Sequence, residues 1–249
     1  MDDYATSMTD SKFYEAYLRA LITGDRKAGR DAVADALDSG IDARTYLTEI
    51  CYAAMEHVRS LYKDDKLTVV QMGLATRLNR SLVDRLAGEL EHMPANGKKA
   101  LIFCGNDEPE ELGGQICAEL FEADGWDVMF VGGDVPNDEI LEMVGNHRPD
   151  LLIHFATLPQ QLPNVRALID YLRDVNSCPG MQVMCCGGVF KRAEGLAEEI
   201  GADLWADSAA AAVTVAEANP HRKASVEQQT VGKMRRVRKQ AAKREKLAA

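Results

Sequence analysis

From Lys98 onward the chain alternates short apolar runs with helical patterns, five times in succession. ALIFC precedes a helical stretch over about 111–123, DVMFVG precedes NDEILEMVGNH, and DLLIHFA precedes a helix reaching about Val175. MQVMCCGG then precedes KRAEGLAEEIG, and a short ADLWA precedes SAAAAVTVAEA. Each apolar run is too short for a buried helix and is followed by residues at 3.6-residue spacing. Strands that return in the same direction need a crossover of about a dozen residues, and a helix supplies it. The pattern predicts a five-stranded, doubly wound parallel sheet of flavodoxin or Rossmann-like α/β type over 98–218. In such sheets ligands sit at the carboxyl ends of the strands, where the strand order reverses. The first strand ends in CGNDEPEELGG, so four acidic side chains occupy a candidate ligand turn. Solvated carboxylates at a helix N-terminus are the simplest account of them, because the helix dipole favours negative charge there.

The first domain, 1–93, reads as a four-helix bundle. Phe13, Tyr17, Leu18 and Leu21 share one helical face, and Gly24-Asp25 stops that run. A second helix spans about Arg26 to Leu37 and ends at Gly40. A third, about Arg44 to Tyr62, carries Tyr46, Ile50, Ala53, Ala54, His57, Val58 and Leu61. Thr68 is a plausible N-cap for a fourth, about Val69 to Glu91, with Met72, Ala75, Leu78, Leu82, Leu86 and Leu90 as its stripe. MPANG separates this bundle from the sheet. Residues 219–249 form a third segment, which loses the alternation and reads as a helical or flexible tail.

Charge divides along the same line. The chain carries a net charge of -10, but from Arg222 onward there are ten Lys and Arg against two Glu, leaving -18 on the rest. An acidic body repels nucleic acid; the basic tail can meet nucleic acid, an acidic partner or solvent. No apolar run approaches the ~18 residues of a membrane span. The acidic start MDDYATSMTDSK lacks the basic and apolar regions of a secretory signal. Six scattered cysteines without paired CxxC motifs fit a reduced, cytoplasmic chain. Cys185 and Cys186 are expected on opposite faces of one strand.

A bundle followed by five strand–helix units, with ELGGQICAELFEADGWDVMFVGGDVPNDEILEMVGNHRPDLL between, resembles the cobalamin-binding module. That family includes methionine synthase, corrinoid methyl carriers and cobalamin-dependent light-sensing regulators. The likeness covers about residues 12–217. Its turn has the form Asp-x-His-x-x-Gly, followed by a helix ending in Gly-Trp-x-Val and a strand ending in Gly-x-x-x-Pro. Gly113, Gly125, Trp126, Val128, Gly132 and Pro136 match it. Gly187 and Gly188 match the pair that the family places beside the buried nucleotide tail of the cofactor. The resemblance implies a cofactor site at these positions, and it also exposes three departures. Glu108 stands at the Asp position and Glu110 at that of the cobalt-ligating His; a carboxylate oxygen is a harder donor than imidazole. Tyr62, Met72 and Gly73 replace the Trp and the Glu-His pair that cap the upper corrin face. Phe155 replaces a Ser that meets the nucleotide tail, with Thr157 as a remaining hydroxyl. His154 and Cys104 are candidate axial ligands for another tetrapyrrole such as haem, or else ordinary core residues.

Three functions follow as expectations. The first is a sensor or regulator on this module, without histidine ligation of cobalamin, holding another tetrapyrrole or only a protein partner. The second is a corrinoid methyl carrier serving a separate methyltransferase. The third is an interaction scaffold that has lost its ligand. No GxxxxGK[ST] phosphate loop, HExxH metal motif or Ser-His-Asp arrangement is apparent, so an enzymatic role of its own is not indicated.

Overall fold

The computed structural model describes residues 12–106 and 108–222, with backbone alone at 108 and 109. The basic segment from 223 onward lies outside the described residues. Helices α1 (Lys12–Thr23) and α2 (Arg26–Asp38) form a hairpin. The Asp25 carboxylate caps α2, accepting from the Lys27 and Ala28 N–H groups at 3.0 and 2.9 Å. The third expected helix is continuous but irregular: α3 (Ala43–Thr45), a π-helical turn (Tyr46–Cys51) and α4 (Tyr52–Lys63). The fourth, α5 (Val69–Ala87), begins with a full capping box between Thr68 and Gln71. It stops at Gly88, short of Glu91, although Leu90 still turns inward and is buried.

The π-helical turn is tied into the bundle by polar contacts. Tyr17 Oη donates to Asn79 Oδ1 at 2.6 Å, and Asn79 Nδ2 donates to the Cys51 carbonyl at 3.2 Å. Tyr17 and Asn79 are fully buried, so this chain satisfies an amide and a hydroxyl that burial would otherwise penalise. π-turns inside helices are rare and leave the ladder locally irregular; here a side chain from α5 meets the carbonyl at its end.

The sheet comprises β1 (Lys99–Cys104), β2 (Asp127–Gly132), β3 (Leu151–Phe155), β4 (Gln182–Cys186) and β5 (Leu204–Ala206), in the order β2-β1-β3-β4-β5. All neighbours are parallel, and β1 pairs with both β2 and β3. The strand order therefore reverses beside β1, and the β1–β3 gap is the switch point. Helices α6 (Glu108–Ala123) and α11 (Ala209–Ala218) cover one face with the bundle. Helices α7 (Asn137–His147), α8 (Leu162–Val175), α9 (Gly188–Arg192) and α10 (Leu196–Glu199) cover the other. Helix α6 starts three residues earlier than its pattern suggests. The helix expected over KRAEGLAEEIG is split into α9 and α10 at Gly195, where φ is +79°.

Strand parity sorts the side chains. Ala100, Ile102, Cys104, Leu151, Ile153, Phe155, Met184 and Cys186 join one core with the bundle. Leu101, Phe103, Leu152, Val183 and Cys185 join the core beneath α7 and α8. Cys185 and Cys186 face opposite ways, as a strand requires. The bundle is stitched to the sheet domain by polar pairs as well as by that shared core. Arg44 forks onto Asp124 at 2.5 and 3.1 Å, Arg80 pairs with Glu111, and Gln115 Nε2 donates to Asp84 Oδ1 at 2.6 Å.

Candidate functional site

The switch point is closed from both sides by side chains. Glu110 lies in the first turn of α6 and is only 2% exposed. Its Oε1 accepts hydrogen bonds from the Thr157 N–H at 2.7 Å and the Leu158 N–H at 2.8 Å. The Thr157 hydroxyl lies 3.4 Å from the same oxygen. The carboxylate thus bridges the start of α6 to the segment after β3, directly across the β1–β3 gap. Gly105, just after β1, makes room for it: a Cβ there would fall 2.0 Å from Glu110 Oε2.

Phe155, the last residue of β3, is fully buried between the sheet and α6. A Cβ on Gly113 would lie 2.2 Å from the Phe155 ring, so the phenyl occupies the space that this glycine leaves open. Tyr52, at the first position of α4, meets the ring edge-on with centroids 6.0 Å apart. Such T-shaped pairs are favoured by the ring quadrupoles. What remains beside Phe155 is a void of about 40 Å³, bounded by Tyr52, Ile116, Ser208 and Ala209 among others. Small-molecule sites are ~300–1,000 Å³, so this space accommodates solvent-sized occupants only.

Two arginines complete the closure. Arg59, reaching from α4 and 8% exposed, donates to the Thr157 hydroxyl at 3.3 Å and lies 3.8 Å from Glu56. Arg192 at the end of α9 donates to the Thr157 carbonyl. Thr157 is therefore gripped at its N–H, hydroxyl and carbonyl by α6, α4 and α9. Burial, followed by the Glu56 carboxylate, pushes the Tyr52 phenol well above its ordinary range. It stays a neutral hydroxyl at any ordinary pH.

Of the residues singled out in the sequence, the structure brings Glu110, Gly113, Phe155 and Thr157 into one cluster. Gly187 and Gly188 follow β4 at the same end of the sheet, and Gly187 packs directly on the Ala156 carbonyl. Glu108 sits at the start of α6; its side chain lies outside the described residues. Tyr62 and Met72 do not join the cluster. Tyr62 is 39% exposed near the end of α4, and Met72 packs partly buried against the bundle core. The aromatic that meets the crevice is Tyr52, ten residues earlier.

Strand geometry bears on one candidate axial ligand for haem and burial on the other. His154 precedes Phe155 on β3, so it points to the opposite face, where its ring lies 4.7 Å from that of Phe103. Burial lowers its pKa to about 3, and neither ring nitrogen has a partner among the described residues. It is a neutral core imidazole turned away from the crevice. Cys104 shares the crevice face, but it is buried, and burial together with Glu111 and Glu110 raises its thiol far above the usual range. A thiolate ligand is disfavoured there. Among the described residues no group of three or more His, Cys, Asp or Glu side chains is placed to hold a metal ion. No described helix is long and apolar enough to cross a membrane.

Tyr52, Arg59 and Arg192 are the crevice residues that sequence reasoning missed. Tyr52, Glu56 and Arg59 recur at i, i+4 and i+7, which places them on one helical face. That spacing was the available signal; the reach of Arg59 to a residue 98 positions later was not.

Comparison with known proteins gives a consistent picture. Two family models, each described as a B12 binding domain, match residues 14–87 and 98–214. Monomethylamine corrinoid protein 2 of Methanosarcina acetivorans is 24% identical over 214 residues, covering 84% of this chain and 98% of that protein. Dimethylamine corrinoid protein 1 of the same organism is 26% identical over 192 residues, covering 75% of this chain and 89% of that protein. The structure of the Methanosarcina barkeri monomethylamine corrinoid protein superposes with a TM-score of 0.72 at 21% identity, covering 82% of this chain and 97% of that one.

Proposed function

The chain belongs to the B12-binding domain family, and from that premise we propose that it is a partner-docking module of corrinoid-protein architecture in which protein side chains take up the cofactor's space. The observation that carries this reading is the Phe155 ring, buried against Gly113 in the gap between α6 and the sheet. Glu110 supports it. A carboxylate locked by two main-chain N–H groups replaces imidazole at the position that the family register assigns to the axial ligand. The residues present therefore do not fit a corrin held through a protein histidine. The chain's own groups instead hold bundle and sheet together: Arg59, Glu110 and Arg192 all converge on Thr157.

A protein partner suits the surface. At the α4–α5 corner, Tyr62, Val69, Val70 and Leu74 are between 39% and 69% exposed. Large apolar side chains gathered on one edge are characteristic of interaction sites. Copurification with a tagged full chain tests this. Val69→Asp with Val70→Asp, at the two most exposed of these positions, should release the bound protein while leaving the melting temperature nearly unchanged. Retention of the same partner by that variant would remove the docking surface from the account.

A second reading is a corrinoid carrier whose cofactor keeps its own base. The specific observation in its favour is the match to nearly the whole length of a monomethylamine corrinoid protein. It requires the crevice to open by movement of Phe155. The visible spectrum, after incubation with hydroxocobalamin or adenosylcobalamin and removal of free ligand, separates the two. The docking module retains no corrin; the carrier retains it in stoichiometric amount.

A further inference from the structure

At the opposite end of the sheet, where β3 and β4 begin, a groove of about 570 Å³ opens between the α7–β3 turn, the α8–β4 loop and the segment after α11. That volume lies within the ~300–1,000 Å³ typical of small-molecule sites. Met181 and Gln182 lie at the start of β4, Pro179 and Pro220 bound the groove, and Arg148, Asp150 and Arg222 also line it. It shares none of the residues of the crevice.

Gln182 is the informative residue. It is 7% exposed overall and lines the groove, where its amide is open to the solvent-filled space. An amide offers two donors and an acceptor to a molecule that enters the groove. The charge of the groove indicates what kind of ligand. Arg148, exposed at the C-terminus of α7, makes no ion pair among the described residues. Arg222 donates to Asp203 Oδ1 at 3.0 Å and to the Pro179 carbonyl at 3.4 Å. Arg173 binds the other oxygen of the same, nearly inaccessible carboxylate. The groove itself is lined by two guanidinium groups, Arg148 and Arg222, and one carboxylate, Asp150, with the Asp203 pair lying beneath Arg222. Arg148 and Arg222 thus present guanidinium groups at the groove on a body that is otherwise strongly acidic.

We propose that this groove binds a small organic anion, with its phosphate or carboxylate group between Arg148 and Arg222 and a second polar group on the Gln182 amide. Asp150 uses one oxygen to accept from the Lys99 N–H at 2.9 Å and has acceptor capacity to spare. A ligand that also carries hydroxyls therefore suits the groove better than a bare polyanion. The site is independent of whether the crevice holds a corrin.

The test is calorimetric titration of the full chain with glycerol 3-phosphate and with L-malate, against potassium chloride at matched ionic strength. Saturable binding of one of the two is expected and identifies the anionic group. Arg148→Ala and Gln182→Met should each weaken it about tenfold or more, the effect of one lost hydrogen bond in a charged site. Both variants should melt as the parent does, since Arg148 is exposed and Met matches the length of Gln. Absence of saturable binding to either anion overturns the proposal. So does unchanged affinity in both variants, which would place the binding on the basic tail.

Discussion

Replacing Phe155 by Ala is the sharpest perturbation of the closed crevice. The ring is fully buried, backed by Gly113 on α6 and by Tyr52 on α4, and it borders a void of about 40 Å³. Truncation removes roughly 100 Å³ of side chain, and at ~24 cal/mol per Å³ the cavity term alone is about 2.4 kcal/mol. Lost apolar transfer adds to it, and Phe→Ala changes in cores cost ~3–5 kcal/mol in total. The upper part of that range applies if neighbours cannot collapse: β3 is a central strand, and Gly113 has no side chain with which to fill the gap. A loss of about 4 kcal/mol is therefore expected from urea unfolding, with the denaturant slope unchanged. The enlarged cavity is largely apolar, and dry cavities of ~150 Å³ bind benzene. Benzene should accordingly raise the melting temperature of Phe155→Ala and leave that of the parent chain unmoved. A loss below about 1.5 kcal/mol together with no benzene effect would refute the reasoning. It would show that the ring does not fill a closed space.

Other consequences follow from the same geometry. His154→Phe should stabilise the fold by about 1–2 kcal/mol, because it removes two buried nitrogens without partners while keeping a ring against Phe103. The folded pKa of His154 is about 3, below its unfolded value, so the unfolded chain binds the extra proton and stability falls as pH drops from about 6.5 towards 3. In His154→Phe that part of the acid sensitivity should disappear from the pH dependence of urea midpoints. Glu110→Ala strands the Thr157 and Leu158 N–H groups and should cost about 3 kcal/mol, whereas Glu110→Gln keeps an acceptor and should cost clearly less in the same assay. Tyr17→Phe breaks the bond to Asn79 and should lower stability by about 1–2 kcal/mol, seen as a lower melting temperature.

The five strands and their order of appearance were legible because each apolar run is short and each intervening helix is amphipathic. Helix termini were less so. Gly195 splits α9 from α10, and no periodicity over so few residues distinguishes one helix from two. At the site, Glu110 came from its spacing to Gly113 in the family turn and Phe155 from the family's Ser position on the third strand, and the structure gathers the two in one cluster. His154 shows what strand parity adds. If Phe155 faces the crevice, its neighbour cannot, so the two proposals were mutually exclusive on sequence grounds. Tyr62 and Met72 stay apart from the cluster because Tyr62 lies near the end of α4, ten residues beyond Tyr52, and Met72 packs against the bundle core. Arg59 and Arg192 were out of reach of sequence reasoning, since each acts on Thr157 from a distant helix.

The central claim is that protein side chains, and not a corrin, fill the crevice. It is tested most directly by the visible spectrum of the full chain after incubation with hydroxocobalamin and removal of free ligand, alongside the double variant Glu110→His with Phe155→Ser. The account predicts no retained corrin absorption in the parent chain and some retained in the double variant, which restores an imidazole and reopens the space at Gly113. A stoichiometric corrin spectrum on the parent chain would contradict it and establish a cofactor-carrying role.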